Sequence, residues 1–132
     1  YPYTLRAPYV WNYSPSYRAE TGRGVAVAVI DSGIAGGIPD FRRSYGDASS
    51  RVVASVVTNP NATNAADTYG HGTHVAGIIA GNGNLRSGPL NGNYVGIAPA
   101  ADLVSVKVSD DQGRATVLDV IYGLQFVVDK KS

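Results

Sequence analysis

Residues 25–34 decide the fold and read Val-Ala-Val-Ala-Val-Ile-Asp-Ser-Gly-Ile. The first six are apolar and three of these are Val, which predicts a strand that can be buried on both faces of a sheet. Asp31 ends this run, and a carboxylate at the end of a buried strand needs a partner for its charge. Ligands bind at the carboxyl ends of parallel strands in α/β sheets, so Asp31 is a candidate functional residue.

The rest of the chain supplies two more strands and two helices. Strands are predicted over 51–57 and 103–108, and helices over 70–81 and 117–129, where apolar residues recur at helical spacing. Thr116-x-x-Asp119 matches a capping box at the start of the second helix. The order strand, strand, helix, strand, helix predicts an α/β fold with a parallel sheet and right-handed crossovers.

Residues 1–24 are interpreted as an N-terminal arm. Six aromatic residues and three prolines fall within it, and the prolines forbid a long helix. We therefore expect an irregular arm that packs its aromatic side chains against an α/β core. That core comprises residues 25–132, and the length of 132 residues suits a single domain or a piece of one.

Composition excludes several classes of protein. The net charge is +1 and no basic run exceeds two residues, which gives no support for nucleic-acid binding. No apolar run approaches ~18 residues, so no membrane span is predicted. Cysteine is absent, which excludes disulfides and thiol chemistry. The chain lacks Met, even at position 1, and is rich in Gly, Asn, Ser and Tyr. The N-terminus is therefore interpreted as a processed end, an excised fragment or a trimmed end. The composition is compatible with secretion without being diagnostic of it, and an extracellular or secreted protein is expected.

His71 is the second candidate, because it follows Asp31 by 40 residues and lies at the start of a predicted helix. A carboxylate that accepts a hydrogen bond from one imidazole nitrogen fixes the tautomer, and the other nitrogen can then take a proton from a hydroxyl. A helix N-terminus disfavours positive charge on His71, which Asp31 would offset. The pair predicts general-base activation of a nucleophile, and we expect the two side chains to touch.

Two segments carry a resemblance to a known family. Val-Ala-Val-Ile-Asp-Ser-Gly-Ile at 27–34 and His-Gly-Thr-His-Val-Ala-Gly-Ile-Ile-Ala-Gly at 71–81 resemble the Asp and His signatures of the subtilisin-like serine proteases, in that family's order. Pro39-Asp40-Phe41 and Val106-Lys107-Val108 resemble further segments of the family. The resemblance covers nearly the whole chain and implies the N-terminal part of a subtilisin-like three-layer fold.

The resemblance implies a serine-type endopeptidase that acts on a polypeptide substrate through an Asp-His-Ser triad. Asp31 would be the orienting carboxylate, and His71 would be the general base and then the general acid. Gly113, Arg114 and Ala115 resemble the edge stretch that pairs with an extended substrate by β-addition, although Arg114 and Ala115 depart from the family's small Gly/Ser pattern. Arg114 would favour acidic substrate side chains nearby.

The family's nucleophile lies in a later Gly-Thr-Ser-x-x-x-Pro-type motif, and neither that motif nor the oxyanion-hole asparagine occurs in residues 1–132. The resemblance therefore implies the Asp/His portion of a single peptidase domain, inactive alone, with the C-terminal part of that domain as its partner. The alternative is a non-catalytic module or pseudoenzyme that self-associates or binds a complementary chain. A sheet that stops after helix 117–129 leaves a strand edge and an apolar helix face uncovered.

No cofactor is expected, and no metal ligands are predicted. His71 and His74 are three residues apart, whereas zincin histidines are spaced i, i+4 with a Glu between them, so His74 is interpreted as a hydrogen-bonded structural histidine. Asp40 resembles a family position that often ligates structural calcium. Residues 82–94 contain no carboxylate, and calcium needs about six to eight oxygen ligands. Calcium at Asp40 is left open.

Overall fold

The structure is a computed structural model that describes residues 2–12, 20–84 and 94–130. Three strands form one parallel sheet, namely β1 (Ala26–Asp31), β2 (Val52–Val57) and β3 (Asp102–Lys107). Their order across the sheet is β1-β3-β2, so the last strand along the chain is the central one. The predicted parallel α/β fold is confirmed.

Helices α1 (Ala7–Asn12), α2 (His71–Ala80) and α3 (Val117–Asp129) accompany the sheet, with a 3-10 turn at Pro39–Phe41. The ends of α2, α3 and all three strands lie within one residue of the predicted bounds. Among residues 2–12, 20–84 and 94–130, no helix has the length and apolar character needed to cross a bilayer.

The sheet is covered by α2 and α3 on opposite faces near the carboxyl end of β1. Neighbouring strand residues point to opposite faces. Val29 belongs to the same core cluster as Ala76 of α2, whereas Ile30 lies against Gly123 of α3. The expected burial of β1 on both faces is therefore met only in part, since Val29 on the α2 face is buried and Ile30 on the α3 face is half-buried. Ala26, at the amino end of β1, is exposed.

Helix α2 packs closely because its core-facing residues are small. Gly72, Ala76 and Ala80 are its buried residues, at four-residue spacing. A Cβ on Gly72 would overlap the carbonyl oxygen of Gly33, so glycine allows the start of α2 to lie directly against the turn that follows β1. The tight packing predicted from the glycines is confirmed at this residue.

The N-terminal arm differs from the expectation, because residues 7–12 form helix α1 instead of an irregular segment. Pro8 lies in the first turn of α1, where a missing N–H costs no intrahelical hydrogen bond. The indole of Trp11 donates to the carbonyl oxygen of Ile97 at 2.9 Å. Tyr3 and Tyr9 are 85% and 75% exposed, so aromatic packing is wrong for these two residues. Three further tyrosines of the arm lie outside the described residues: Tyr1, Tyr13 and Tyr17.

Candidate active site

Asp31 and His71 meet at the carboxyl edge of the sheet. Asp31 is the last residue of β1, and His71 is the first residue of α2. The imidazole Nδ1 of His71 lies 2.8 Å from Oδ1 and 2.9 Å from Oδ2 of Asp31. The expected contact between the two side chains is therefore present, although they lie 40 residues apart in the sequence.

The hydrogen bonds of Asp31 determine the tautomer of His71. An ionised carboxylate only accepts hydrogen bonds, so Nδ1 of His71 carries the proton and Nε2, on the far edge of the ring, keeps its lone pair. The backbone N–H of Ser32 also donates to Asp31 Oδ1, at 2.7 Å, and fixes the carboxylate. The Asp31 side chain is 19% exposed and the imidazole is 59% exposed, so the ring is accessible to a reacting group.

The Asp31 contact changes the acidity of His71. The hydrogen bond to Asp31, and then the charge of Asp31, raise the pKa of His71 above its ordinary value of about 6.5. The charge of Asp67 adds to this increase. The site therefore stabilises the imidazolium that a general base forms when it takes a proton.

Asp67 fixes the start of α2 and was missed by sequence reasoning. Its Oδ1 accepts hydrogen bonds from the Gly70 N–H and the Ser32 hydroxyl, both at 2.8 Å. Its Oδ2 accepts from the N–H of Thr73 at 2.7 Å and from the Thr73 hydroxyl. Partial burial alone would raise the pKa of Asp67, but the hydrogen bonds from Thr73, Gly70 and Ser32 together lower it below its ordinary value.

Ser32 links this network to the sheet. Its buried hydroxyl donates to Asp67 and accepts the N–H of Gly72 at 2.9 Å. The residues on both sides of His71 are thereby tied to β1, which aims the imidazole at Asp31. Asp67 lies three residues before Gly70, the N-cap of α2, so it does not match an N-cap pattern in the sequence. Its bridge to Ser32 joins residues 35 apart and is visible only in the folded chain.

A cavity of about 190 Å³ opens beside His71, and Gly113 and Ala115 belong to its lining. Arg114 does not line this cavity among the described residues. The Arg114 N–H donates to Asp110 Oδ1 at 2.9 Å, and its carbonyl accepts the Asp110 N–H at 2.8 Å. The structure thus brings two of the three predicted substrate-binding residues to His71, while the backbone of the third closes a turn.

His74 and Asp40 lie elsewhere, beside a second cavity of about 380 Å³. His74 is exposed on α2, because Gly72, Ala76 and Ala80 occupy the face toward the core. Among the described residues its side chain has no hydrogen bond, so the interpretation as a hydrogen-bonded structural histidine is not supported.

Calcium at Asp40 stays a prediction, since backbone carbonyl and amide oxygens bind calcium as well as carboxylates do. Across the described ranges, no three His, Cys, Asp or Glu side chains are grouped to hold a metal ion.

The sequence is similar to those of known proteins. The family model described as "Subtilase family" matches residues 22–132. The chain is 37% identical over 108 residues to the serine protease AprX of Bacillus subtilis (strain 168), and this match covers 82% of this chain and 22% of that protein. It is 33% identical over 135 residues to an intracellular serine protease of Paenibacillus polymyxa, and this match covers 96% of this chain and 34% of that protein.

A solved structure resembles this fold. It is described as the crystal structure of a cold adapted subtilisin-like serine proteinase, with a TM-score of 0.65 and 31% sequence identity. The match covers 85% of this chain and 34% of that chain. This chain therefore spans about a fifth to a third of the length of the proteins it matches here.

Proposed function

Because the family match covers residues 22–132, the chain belongs to the subtilase family, and we propose that it carries the Asp/His part of a serine endopeptidase site. The observation that supports this function best is the 2.8 Å contact between His71 Nδ1 and Asp31 Oδ1 beside an open cavity. Subtilases are serine-type peptidases, and both residues lie in segments that resemble the family's Asp and His signatures.

The proposed reaction assigns one role to each side chain. A serine hydroxyl that approaches Nε2 of His71 transfers its proton to the imidazole as it attacks the peptide carbonyl. Asp31 orients the ring and stabilises the imidazolium, which then protonates the leaving amine. The serine and the oxyanion-hole asparagine are proposed to come from further residues of the same domain, so this chain alone is inactive. No step requires a cofactor.

The substrate is proposed to be an extended polypeptide. Gly113 and Ala115 line the cavity beside His71 and offer backbone groups for β-addition. Arg114 lies between them with an exposed residue surface, so acidic substrate side chains nearby are favoured. Secretion of the complete protein is part of this proposal, although one matched relative is named an intracellular protease, so the family does not determine the compartment.

The test compares the 132-residue chain with the complete gene product that carries it. The complete product should hydrolyse a peptide amide and lose this activity to a serine-reactive phosphonyl reagent, whereas the 132-residue chain should show no turnover. His71→Ala should lower kcat by about 10⁶-fold, the loss caused by removing this triad member in a subtilisin. His74→Ala is the matched control, because it lies one turn along the same helix beside a different cavity.

Two results would contradict the proposal. Phosphonyl-sensitive turnover by the 132-residue chain would show that it holds its own nucleophile. Equal activity of His71→Ala and His74→Ala in the complete product would show that His71 is not the base.

A second candidate function is a non-catalytic or pseudoenzyme module that self-associates or binds a complementary chain. The observation that favours it is the exposed apolar surface of α3, where Val117 is 78% and Val128 is 66% exposed. Such a surface is typical of an interface that another chain or segment covers.

A further inference from the structure

Lys107, the last residue of the central strand β3, has a fully buried side chain. Its ammonium group donates to the carbonyl oxygen of Ala66 and to Oδ1 of Asp111, both at 2.7 Å. A buried ammonium group is unfavourable unless it is paired and hydrogen-bonded. Since an apolar residue would avoid this desolvation cost, the buried cation points to a specific arrangement that it holds in place.

Asp111 connects this cation to the loop formed by residues 62–70. Its Oδ2 accepts hydrogen bonds from the N–H of Thr63 at 3.2 Å and from the Thr63 hydroxyl at 2.6 Å. Its carbonyl oxygen accepts the Thr68 hydroxyl at 3.0 Å. The hydrogen bond from Lys107, followed by those from Thr63, lowers the pKa of Asp111 to about 2. The carboxylate therefore stays ionised at neutral pH.

The two loops that meet at this ion pair both end at the cavity beside His71. Loop 62–70 leads directly into His71, and the ring of Tyr69 packs on Gly113, where an added Cβ would lie 2.8 Å from ring atoms. Gly113 and Ala115, on the second loop, line the cavity together with Tyr69 and His71. Residues of both loops therefore border the opening beside His71.

We propose that Lys107 and Asp111 are positioning residues whose ion pair clamps loop 62–70 to the loop that carries Gly113 and Ala115, and so sets the width of the substrate groove. The assignment of this opening as a substrate groove rests on the proposed peptidase function. Neither residue touches the reacting atoms, and both act through the loops that they join.

The catalytic pair is held by different contacts, so the two effects can be separated. Asp67 belongs to loop 62–70, but its carboxylate holds the start of α2 through hydrogen bonds to Ser32 and Thr73 that do not involve Lys107 or Asp111. The contact between Asp31 and His71 joins β1 to α2 directly. Loss of the Lys107–Asp111 ion pair is therefore expected to loosen the groove while the contact between Asp31 and His71 persists. Binding of an extended peptide should suffer, whereas proton transfer by the imidazole should not.

The test measures kcat and KM in the complete gene product for two substrates, an extended peptide amide and a single-residue ester that does not reach the second loop. The variants are Lys107→Met, which removes the cation, and Thr63→Ala, an exposed-loop substitution expected to fold even if Lys107→Met does not. Ser49→Ala is the matched control, because its hydroxyl also donates to an aspartate, Asp47, at 2.6 Å in an exposed loop.

We expect KM for the extended peptide to rise roughly tenfold in Lys107→Met and about threefold in Thr63→Ala, with kcat for the ester within about twofold of the wild-type value. Ser49→Ala should match the wild type for both substrates. The proposal is overturned if Thr63→Ala behaves like Ser49→Ala, or if both variants lower kcat equally for the two substrates.

Failure of the proposed function gives a different result, since the wild-type product would then turn over neither substrate. In that case hydrogen exchange followed by mass spectrometry still measures whether the ion pair holds the two loops together. Amides in residues 62–70 and 109–116 should exchange faster together in Lys107→Met and in Thr63→Ala, while those of β1 keep their wild-type rate. Unchanged exchange in both loops would overturn the clamp itself.

Discussion

His71 can act as a base because Asp31 determines which imidazole nitrogen carries the proton. Nδ1 donates to the carboxylate at 2.8 Å, so the lone pair of Nε2 remains available at the open side of the ring. A single residue also explains why α2 approaches the end of β1 so closely, since Gly72 leaves room for the turn at Gly33. At this scale the function depends on hydrogen-bond direction and on the absence of one Cβ.

Asp31→Asn is expected to lower the pKa of His71, because an amide removes both the charge-assisted hydrogen bond and the negative charge that raise it. An NMR titration of this chain, which has two histidines, measures the change. The wild-type midpoint of His71 should lie above 6.5 and should fall in the variant. The His74 resonances in the same spectra serve as the control.

The raised pKa of His71 also makes the stability of the folded chain depend on pH in a defined direction. Because the folded-state pKa of His71 is raised, its pairing with Asp31 stabilises the folded chain fully below about pH 6.5, and this contribution is lost as the pH rises through the folded-state pKa. A wild-type His71 midpoint at or below that of an unstructured histidine would contradict the contact.

Arg51 joins several elements at the amino end of the strands, the edge of the sheet opposite to Asp31 and His71. It directly precedes β2, is 2% exposed, and donates to four backbone carbonyls, those of Arg42 at 3.2 Å, Ala101 at 2.8 Å, Asp40 at 2.7 Å and Ala80 at 2.6 Å. Ala80 ends α2, where carbonyls lack intrahelical partners. Burial lowers the pKa of the Arg51 guanidinium, which nevertheless stays charged at neutral pH.

Arg51→Leu should therefore lower the free energy of unfolding by about 3 kcal/mol or more, because buried carbonyls would be left without donors. Urea unfolding followed by circular dichroism measures the change. Arg23→Leu is the matched control, since Arg23 is exposed and its side chain makes no hydrogen bond or ion pair with the described residues, so its loss should cost about 0.5 kcal/mol or less. Equal unfolding midpoints for the two variants would contradict this role of Arg51.

Considered as a whole, the molecule leaves much of α3 uncovered. Its buried residues are Asp119, which closes the capping box with Thr116, and Gly123, which lies against β1 and β3. The uncovered helix face that the sequence predicted is confirmed. Seven of its apolar residues are between 37% and 78% exposed: Val117, Leu118, Val120, Ile121, Tyr122, Leu124 and Val128.

The 132-residue chain is therefore expected to self-associate, because an apolar face of this extent favours burial against another surface. Size-exclusion chromatography at micromolar concentration should give an apparent mass above the 13.8 kDa of a monomer. The double variant Ile121→Glu, Leu124→Glu should shift the mass toward the monomer. Tyr45→Ser is the control, since Tyr45 is 92% exposed but lies outside α3. A stable wild-type monomer would refute this expectation.

The sequence by itself determined the order of the elements, the parallel sheet and the pairing of Asp31 with His71. Hydrophobic periodicity and capping are local properties, so the bounds of α3 and the capping box between Thr116 and Asp119 could be predicted. The contact between Asp31 and His71 could be predicted because the two motifs lie at a strand end and a helix start, which parallel α/β topology brings to the same edge.

Only the tertiary structure decided which strand is central and which polar groups meet away from the two motifs. The partners of Lys107 at Ala66, of Asp67 at Ser32 and of Arg51 at Ala101 lie 41, 35 and 50 residues away in the chain. Such contacts follow from how the loops pack against the sheet, and each charged group takes whichever hydrogen-bond partner that packing brings within reach. No local pattern of residues specifies those partners.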